Sequence, residues 1–514
     1  MKGEKMVSKS CLWKSRVLSI LCLISLFILP DGAWGQSSNI PTFVPKMGKE
    51  WAKLRLYNRA SFGDFDKDGY PDLILGGRVW KNDHGYFIPY NKKLKITRLP
   101  VGGIWADFNN DGYLDIFCYG DKFSLWINQG GKQFKSYPIP ANPYPGHGVA
   151  AAVGDLNNDG YVDIYVANYE TWTNNTYPYK DVFLFNNWKQ WSSSPPSSNI
   201  PLFHLQQTSI ALPSRGVTMC DFNNDGKLEI YVSEYRLAPN MLWCNPSGNS
   251  FIDLSTQYNV RGYKDGTYVR YGTGMVIQGV YGHTIGSCWA DLNNDLNFDL
   301  VVGNFAHPVP FQDRLQILKN QGPSQGYVFK KIHAKRHGIR YQESYANPSC
   351  ADFDNDGKLD IFISTVYGGN QSVLYRNLGK FKFEEVTTKV GFKWPLNTYQ
   401  GVWADVNNDG FLDLLAAGKI WINRGNGNHW LKVSLEGKDC NRAAIGAKVI
   451  MRAGKRKAIR QVEAGTGAGN QNDLTLHFGL GKRSKKVKLE IHWPCGKVQH
   501  VKVRPNSWIH IQEN

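Results

Sequence analysis

Short apolar runs separated by polar, glycine-rich turns recur along the chain. Four examples are residues 113–119, 161–167, 228–233 and 359–365. Each run is short, rich in β-branched and aromatic residues, and bounded by turn residues, which is typical of β-strands. A sustained helical periodicity is hard to find anywhere in the chain, while the 52 glycines suit many tight turns. The pattern predicts an all-β protein.

An acidic turn precedes these strands. In its first copy Asp64, Asp66 and Asp68 alternate along the chain, Gly69 turns it, and Asp72 starts the next apolar run. Alternating carboxylates in a tight turn converge on one point and repel one another unless a cation is bound. Hard oxygen ligands favour calcium over magnesium, which demands a rigid octahedron. The last acid stands at position 9 and the flanks are strands, so the turn differs from an EF-hand.

The same spacing occurs seven times, and we number the copies loops 1 to 7. Turns that hold no metal explain any single copy, but seven copies with equal offsets favour up to seven bound calcium ions. The predicted ligands stand at positions 1, 3, 5, 7 and 9 of each loop: Asp64, Asp66, Asp68, Tyr70 and Asp72; Asp107, Asn109, Asp111, Tyr113 and Asp115; Asp155, Asn157, Asp159, Tyr161 and Asp163; Asp221, Asn223, Asp225, Lys227 and Glu229; Asp291, Asn293, Asp295, Asn297 and Asp299; Asp352, Asp354, Asp356, Lys358 and Asp360; Asp405, Asn407, Asp409, Phe411 and Asp413.

The interval between loops predicts the architecture. Loop starts are 43 to 70 residues apart, and the shortest interval fits one four-stranded sheet. In several units a further strand ends in Asn, as at 125–128, 183–186, 374–377 and 420–423. Repeats of this length with about four strands are typical of propeller blades. We therefore predict a seven-bladed β-propeller over residues 36–427, with residues 42–45 completing the seventh blade, and a small β domain over 428–514.

The N-terminal sequence has the pattern of a secretory signal peptide. Residues 1–35 carry basic residues, an apolar run at 17–29 and a small-residue site before Gln36. The run is short for a membrane span, which needs roughly 20 residues, and no later stretch is long enough. We expect a secreted monomer, extracellular or, in a bacterium, periplasmic or on the cell surface. Cys440 and Cys495 are candidates for a disulfide in such a compartment, whereas Cys220, Cys288 and Cys350 suit the core.

Positive charge concentrates in the C-terminal domain. Residues 429–514 contain 17 Lys and Arg against 6 Asp and Glu. A basic patch attracts polyanions, so we expect an anionic polysaccharide or an extracellular protein as partner, and no specific nucleic acid. The alternative is a solvated surface that only aids solubility. The candidate polyanion-binding residues form two clusters: Arg452, Lys455, Arg456, Lys457 and Arg460; Lys482, Arg483, Lys485, Lys486 and Lys488.

Catalytic motifs are scarce. The chain has no Gly-x-Ser-x-Gly elbow, Walker loop or HExxH helix. His147 and His283 each stand eight residues before a loop, where a side chain can face a propeller channel, and Arg215, Glu234 and Tyr235 are possible neighbours. Packed structural histidines explain the same positions. Three functions remain open: a calcium-stabilised binding or adhesion module, an enzyme of lyase or cyclase type acting on a sugar or lipid-like substrate in the channel, and a structural matrix component.

Two stretches resemble known modules. The loops, beginning with Gly63 to Gly69, resemble FG-GAP/VCBS repeats, the calcium-loop propellers also found in integrin alpha heads. Residues 428–431, 441–449, 477–481 and 493–496 resemble the ASPIC/UnbV domain of the cartilage acidic protein family. The resemblance implies a secreted, calcium-binding propeller and assigns no activity. Leu296 replaces the loop glycine in loop 5, so we expect that loop to be distorted, and Glu229 replaces the last Asp of loop 4.

Overall fold

A computed structural model describes most of the chain after the predicted signal. The described residues are 40–46, 51–54, 58–100, 102–139, 146–170, 177–193, 201–247, 250–262, 266–269, 276–306, 314–393 and 397–514. The predicted signal, 1–35, lies outside them.

Seven four-stranded antiparallel sheets follow one another, and each acidic loop joins the first two strands of its sheet. We call the sheets blades 1 to 7. Their strands are Ala60–Gly63, Asp72–Leu75, Arg78–Asp83 and Tyr86–Pro89; Gly102–Ala106, Asp115–Tyr119, Ser124–Asn128 and Phe134–Pro138; Gly148–Gly154, Asp163–Asn168, Lys180–Asn186 and Phe203–Ala211; Ser214–Cys220, Glu229–Glu234, Met241–Cys244 and Ile252–Asp253; Thr284–Ala290, Asp299–Asn304, Gln316–Asn320 and Phe329–Ile332; Pro348–Ala351, Asp360–Ile363, Val373–Gly379 and Lys382–Glu385; Val402–Ala404, Asp413–Ala416, Lys419–Asn423 and Phe43–Lys46.

The blades form a closed ring. The first strands of blades 7, 1, 2, 3, 4, 5 and 6 contact one another in that order. Blade 6 meets blade 7 where the rings of Phe362 and Trp403 lie 6.5 Å apart in a shared apolar cluster. The outer strand of blade 7 comes from the other end of the chain, because Phe43–Lys46 pairs antiparallel with Lys419–Asn423. The predicted seven-bladed β-propeller and its N-terminal closing strand are therefore confirmed.

Apolar side chains fill the spaces between neighbouring blades. A cluster from blades 7 and 1 includes Val402, Leu415, Phe62 and Leu73, all nearly inaccessible to solvent. Because both faces of each blade are buried, the sequences of its inner strands are continuous apolar runs and do not alternate between apolar and polar residues. The propeller thus has a core repeated from blade to blade instead of one central core.

The C-terminal domain is built from two sheets. Its first sheet has the order Leu476–Gly481, His429–Glu436 and Ser507–Gln512, and its second has the order Arg456–Gln461, Lys448–Ala453, Val487–His492 and Val498–Val503. Cys440 and Cys495 form a disulfide, as the sequence allowed.

The remaining described elements are small: a hairpin of Gly266–Val269 and Val276–Val280, an α-helix at Trp188–Ser193, and 3-10 turns at Trp51–Leu54, Pro323–Gln325 and Ala334–His337. None of the described helices has the length and apolar character to cross a bilayer.

One segment of the C-terminal domain, residues 463–473, fills the centre of the ring, and we call it the channel plug. Gln471 exchanges hydrogen bonds of 2.7 and 2.9 Å with the backbone of Trp105 in blade 2. Backbone N–H groups of blades 3 and 7 donate to the plug, Val153 to Ala464 O at 2.8 Å and Trp403 to Asn472 Oδ1 at 3.0 Å. The plug therefore joins the two domains along the propeller axis.

Glycine is required inside the plug. Gly467 has a φ of +58° and its amide donates to Ser287 O at 3.0 Å. A Cβ at this position would lie 1.6 Å from Asn347 Oδ1, so any side chain would displace the plug. The alternating glycines at 465, 467 and 469 are the sequence signal that indicates this close approach.

The closing strand yields a stability prediction. Phe43 is 3% exposed and packs 4.9 Å from the ring of Phe392, whereas Val44, the next residue, is 40% exposed. We expect Phe43→Ala to lower the free energy of unfolding by about 3–5 kcal/mol, because it empties a buried aromatic site. Val44→Ala is the matched control and is expected to change it by less than about 0.5 kcal/mol. Denaturant melts measure both variants, and equal effects would contradict the closure.

Candidate functional site

The seven acidic loops share one backbone conformation. The residue at position 4 has a positive φ in every loop, between 55° and 61°. The amide of position 6 donates to Oδ2 of the first Asp at 2.7–3.1 Å in all seven. Leu296 adopts a φ of +77°, close to the φ of the glycines at position 6 of the other loops, and its amide keeps this bond at 3.0 Å. The prediction that loop 5 is distorted is therefore wrong. The contacts of the loop hold the leucine in the left-handed region of φ despite the strain.

Side chains at positions 1, 3 and 5 converge as the spacing predicts. In loop 2 the Asn109 amide donates to Asp111 Oδ2 at 2.9 Å, and the Asp111 amide donates to Asp107 Oδ1 at 3.2 Å. In loop 1, carboxylate oxygens of Asp64, Asp66 and Asp72 lie within 4.8 Å of one another. These residues present several oxygens to one point, which is the donor set that calcium prefers.

The acid at position 9 has a structural role that the sequence did not reveal. Asp115 is inaccessible to solvent, and its two oxygens accept backbone amides of Phe108 at 2.9 Å and Asn128 at 2.7 Å. The same pair of bonds recurs at Asp72, Asp163, Asp299, Asp360 and Asp413. This carboxylate therefore fixes the loop to the third strand of its own blade.

The Asn that ends the third strand connects each loop to the loop of the preceding blade. Asn128 Nδ2 donates to Leu114 O in its own loop and to Phe65 O in loop 1. Asn82 does the same between blades 1 and 7, since it donates to Pro71 O and Val406 O. Equivalent bonds are made by Asn186, Asn320, Asn377 and Asn423. A ring of amides thus holds neighbouring loops together.

The loops bury carboxylates whose negative charge a bound cation would neutralise. Burial, with help from the neighbouring carboxylates, raises the pKa of Asp64 and Asp155 to about 6 and that of Asp107 to about 7. Asp64 Oδ1, Asp352 Oδ1 and Glu229 Oε2 are buried without a hydrogen-bond partner among the described residues. The residues therefore fit a divalent cation held by positions 1, 3, 5, 7 and 9.

Loops 1 and 6 differ from the others because they contain a fourth carboxylate, and in each a basic side chain of the third strand lies beside it. Both have Asp at position 3, where the other five loops have Asn. Lys81 Nζ lies 2.8 Å from Asp66 and 2.7 Å from Asp68 in loop 1. Arg376 lies 2.6 Å from Asp354 and 3.2 Å from Asp356 in loop 6. The basic side chain offsets the additional acid.

The C-terminal domain lies over the face of the propeller that carries the loops. Lys432 Nζ is 3.0 Å from Asp405 Oδ2 of loop 7, and Lys448 Nζ is 2.6 Å from Asp221 Oδ2 of loop 4. Arg442 N donates to Asn110 Oδ1 of loop 2, and Gly479 N donates to Asp352 Oδ2 of loop 6. The predicted metal loops therefore form part of the interface between the two domains.

Basic side chains line up across the outer sheet of the C-terminal domain. Strand register places Arg452 beside Lys488 and Lys488 beside Lys502. Adjacent strands are about 4.8 Å apart, so this row spans roughly 10 Å. Lys455, Lys486 and Arg504 lie just beyond the ends of these strands. We call these six exposed residues the basic face.

The predicted clusters are only partly correct. Arg460 is buried beside Asp291 and Asp352, and half-buried Lys457 donates to Asp295 O, so these two side chains face the propeller loops. Arg452, Lys455, Arg456, Lys482, Lys485, Lys486 and Lys488 are exposed, and Arg483 is half-buried. Lys502 and Arg504 were missed because only strand pairing brings them to the row. Glu490 is the acid on this face, 3.5 Å from Arg452.

The channel candidates do not form a catalytic set. His147 Nδ1 lies 2.6 Å from the exposed Asp121, and His283 is buried against the Tyr235 ring at 4.5 Å. Arg215 and Tyr235 do meet near the axis, but Glu234 points elsewhere, to the Ser214 hydroxyl at 3.1 Å. The channel plug occupies the space where a substrate would enter from the loop side.

Comparison with known proteins supports the two-module organisation. The FG-GAP-like repeat matches residues 64–118, 107–166 and 352–416, and the family described as ASPIC and UnbV matches residues 437–514. The chain therefore contains FG-GAP-like repeats and a C-terminal ASPIC and UnbV domain.

Its relatives include cartilage acidic protein 1. The human protein is 28% identical over 280 residues, 49% of this chain and 38% of its own length. The Xenopus tropicalis protein is 26% identical over 415 residues, 76% of this chain and 58% of its own. The chain thus spans roughly two fifths to three fifths of the length of these relatives.

Two solved structures share a weak likeness. BBS1N in complex with ARL6DN has a TM-score of 0.41 at 9% identity, covering 75% of this chain and 97% of that one. A Photorhabdus luminescens Tc holotoxin pore has a TM-score of 0.32 at 13% identity, covering 88% of this chain and 20% of that one. Neither likeness bears on the function of this chain.

The domain interface yields a pH prediction. His477 Nε2 donates to Gly410 O of loop 7 at 3.0 Å, and burial lowers the pKa of His477 to about 4. Because the unfolded histidine binds its proton near pH 6.5, stability is lost as the pH falls from 6.5 towards 4. Relative to His477→Gln, the wild type should lose up to about 3 kcal/mol over this range. Urea melts at several pH values test it, and parallel curves for the two proteins would contradict it.

Proposed function

We propose that this chain is an exported, calcium-dependent binding module whose basic face holds an anionic polysaccharide. The observation that carries the proposal is the cross-strand row of the exposed residues Arg452, Lys488 and Lys502. A linear polyanion can contact successive cations of such a row without a pocket. The relatives are named for cartilage, and the disulfide between Cys440 and Cys495 suits an oxidising compartment; both support a place outside the cell.

Calcium has a stabilising role in this proposal. Each ion would neutralise the carboxylates of one loop and hold the loop in the shape that contacts the C-terminal domain. Loops 4 and 7 meet that domain through Lys448 and Lys432, so loss of calcium would weaken the platform that presents the basic face. The ion therefore acts on polysaccharide binding through rigidity, not through direct contact.

A channel enzyme is the less favoured alternative. Plug residues Thr466, Ala468, Asn470 and Gln471 are each at most 1% exposed. His147 pairs with the exposed Asp121 and His283 packs on the Tyr235 ring, so the two histidines have different neighbours. A purely structural matrix component makes the same use of calcium but requires no ligand on the basic face. Direct binding experiments separate this alternative from the proposal.

Loop 1 offers a test of the calcium role. Lys81 is 8% exposed and is the basic side chain among four carboxylates. In chelator, Lys81→Met should lower the free energy of unfolding by about 3–5 kcal/mol, because it leaves buried carboxylates uncompensated. In excess calcium the loss should be smaller, since the ion replaces the ammonium.

Lys92→Met, at an exposed position of the same blade, is the control and should be nearly neutral in both conditions. Melting with and without calcium gives the comparison. An identical loss from Lys81→Met in both conditions would refute a calcium ion in loop 1.

The basic face is tested by charge reversal. Lys488→Glu/Lys502→Glu should weaken binding to sulfated or uronic polysaccharide at least tenfold, about 1.4 kcal/mol, and should flatten its salt dependence. Lys92→Glu/Lys122→Glu changes the net charge equally at exposed positions of the propeller and should leave affinity nearly unchanged. Titrations at two salt concentrations measure both. Equal losses would indicate nonspecific attraction, and no loss in the first variant would refute the proposed site.

A further inference from the structure

The sulfur atoms of two cysteines on neighbouring blades lie closer together than the usual contact distance of unbonded sulfur atoms. Cys288, on the first strand of blade 5, and Cys350, on the first strand of blade 6, have their Sγ atoms 2.7 Å apart. Unbonded carbon atoms rest at roughly 3.5–4.0 Å, and sulfur is larger than carbon. A disulfide requires about 2.05 Å, so closure needs a movement of only about 0.7 Å.

We propose that Cys288 and Cys350 form a disulfide that cross-links blades 5 and 6 in the exported protein. The two thiols lose two protons and two electrons as the sulfur–sulfur bond forms. A protein or small-molecule disulfide of the exported compartment accepts the electrons through a mixed-disulfide intermediate and is cleaved to two thiols. The inference depends on export, which is part of the proposed function.

The surroundings favour a bond over two separate thiols. Cys288 is 2% exposed, while Cys350 is partly accessible and lines a cavity between the propeller and the C-terminal domain. An oxidant can reach Cys350 before that domain settles over the loops, and Cys288 then completes the exchange. The bond would lie just before loops 5 and 6, because Cys288 precedes Asp291 by three residues and Cys350 precedes Asp352 by two.

The chain contains its own controls. The five described cysteines outside the C-terminal disulfide are unbonded thiols in the structure; Cys220, directly before loop 4, Cys118 and Cys244 are buried. In an alkylation experiment these three serve as controls for a cysteine that is not in a disulfide. Cys440 and Cys495 report how a formed disulfide behaves in the same preparation.

Site-resolved alkylation of the exported protein, unfolded without reductant and followed by peptide mass spectrometry, tests the proposal. We expect Cys118, Cys220 and Cys244 to be labelled at once, and Cys288, Cys350, Cys440 and Cys495 only after reduction. Cys350→Ser should make Cys288 label without reduction and leave Cys440 and Cys495 protected. The unreduced wild-type digest should contain one peptide pair that links Cys288 to Cys350.

Three results would overturn the inference. Immediate labelling of Cys288 and Cys350 with Cys440 and Cys495 protected refutes this disulfide but leaves export intact. Immediate labelling of all four refutes both the disulfide and the oxidising compartment of the proposed function. A peptide that links Cys288 or Cys350 to another cysteine refutes the pairing.

Discussion

The structure depends on burying carboxylates inside a ring of β-sheets. Each buried carboxylate needs hydrogen bonds or a cation to offset its lost hydration and its repulsion by neighbouring carboxylates. Each blade buries a carboxylate at position 9 of its loop, and in six blades backbone amides satisfy both of its oxygens, as Phe108 and Asn128 do for Asp115. Desolvation of such a group costs several kcal/mol unless it is hydrogen-bonded or paired. The amides meet this requirement at position 9, and in the proposed calcium-bound state the ion would meet it for the side chains at positions 1, 3 and 5.

The two domains behave as one unit because their contacts converge on these loops. Lys432 and Lys448 reach buried carboxylates in loops 7 and 4, while the channel plug bonds to the first strands of the blades. The asparagine ring adds bonds between each loop and the preceding one. These contacts connect each loop to its neighbours and to the C-terminal domain, which carries the basic face.

Much of the propeller could be predicted because its information is local and repeated. The spacing of Asp64, Asp66, Asp68 and Asp72 recurs in every blade, and the closing strand at Phe43–Lys46 has the alternation of an outer strand. The channel plug was not predicted. Its alternating glycines indicate a close backbone approach, but its partners are distant in sequence, so the sequence does not show what the plug approaches. The basic face was only partly foreseen. Arg460 and Lys502 have the same charge, yet strand register buries one and exposes the other.

The most direct test of the account is the number of calcium ions bound by the chain. Metal-stripped protein dialysed to equilibrium against calcium, with the metal counted by atomic emission, should retain several ions and at most seven, one for each loop. Asp→Asn substitutions at position 1 of single loops should each lower the count by one. A chain that retains no calcium above a protein without such loops would contradict the central claim.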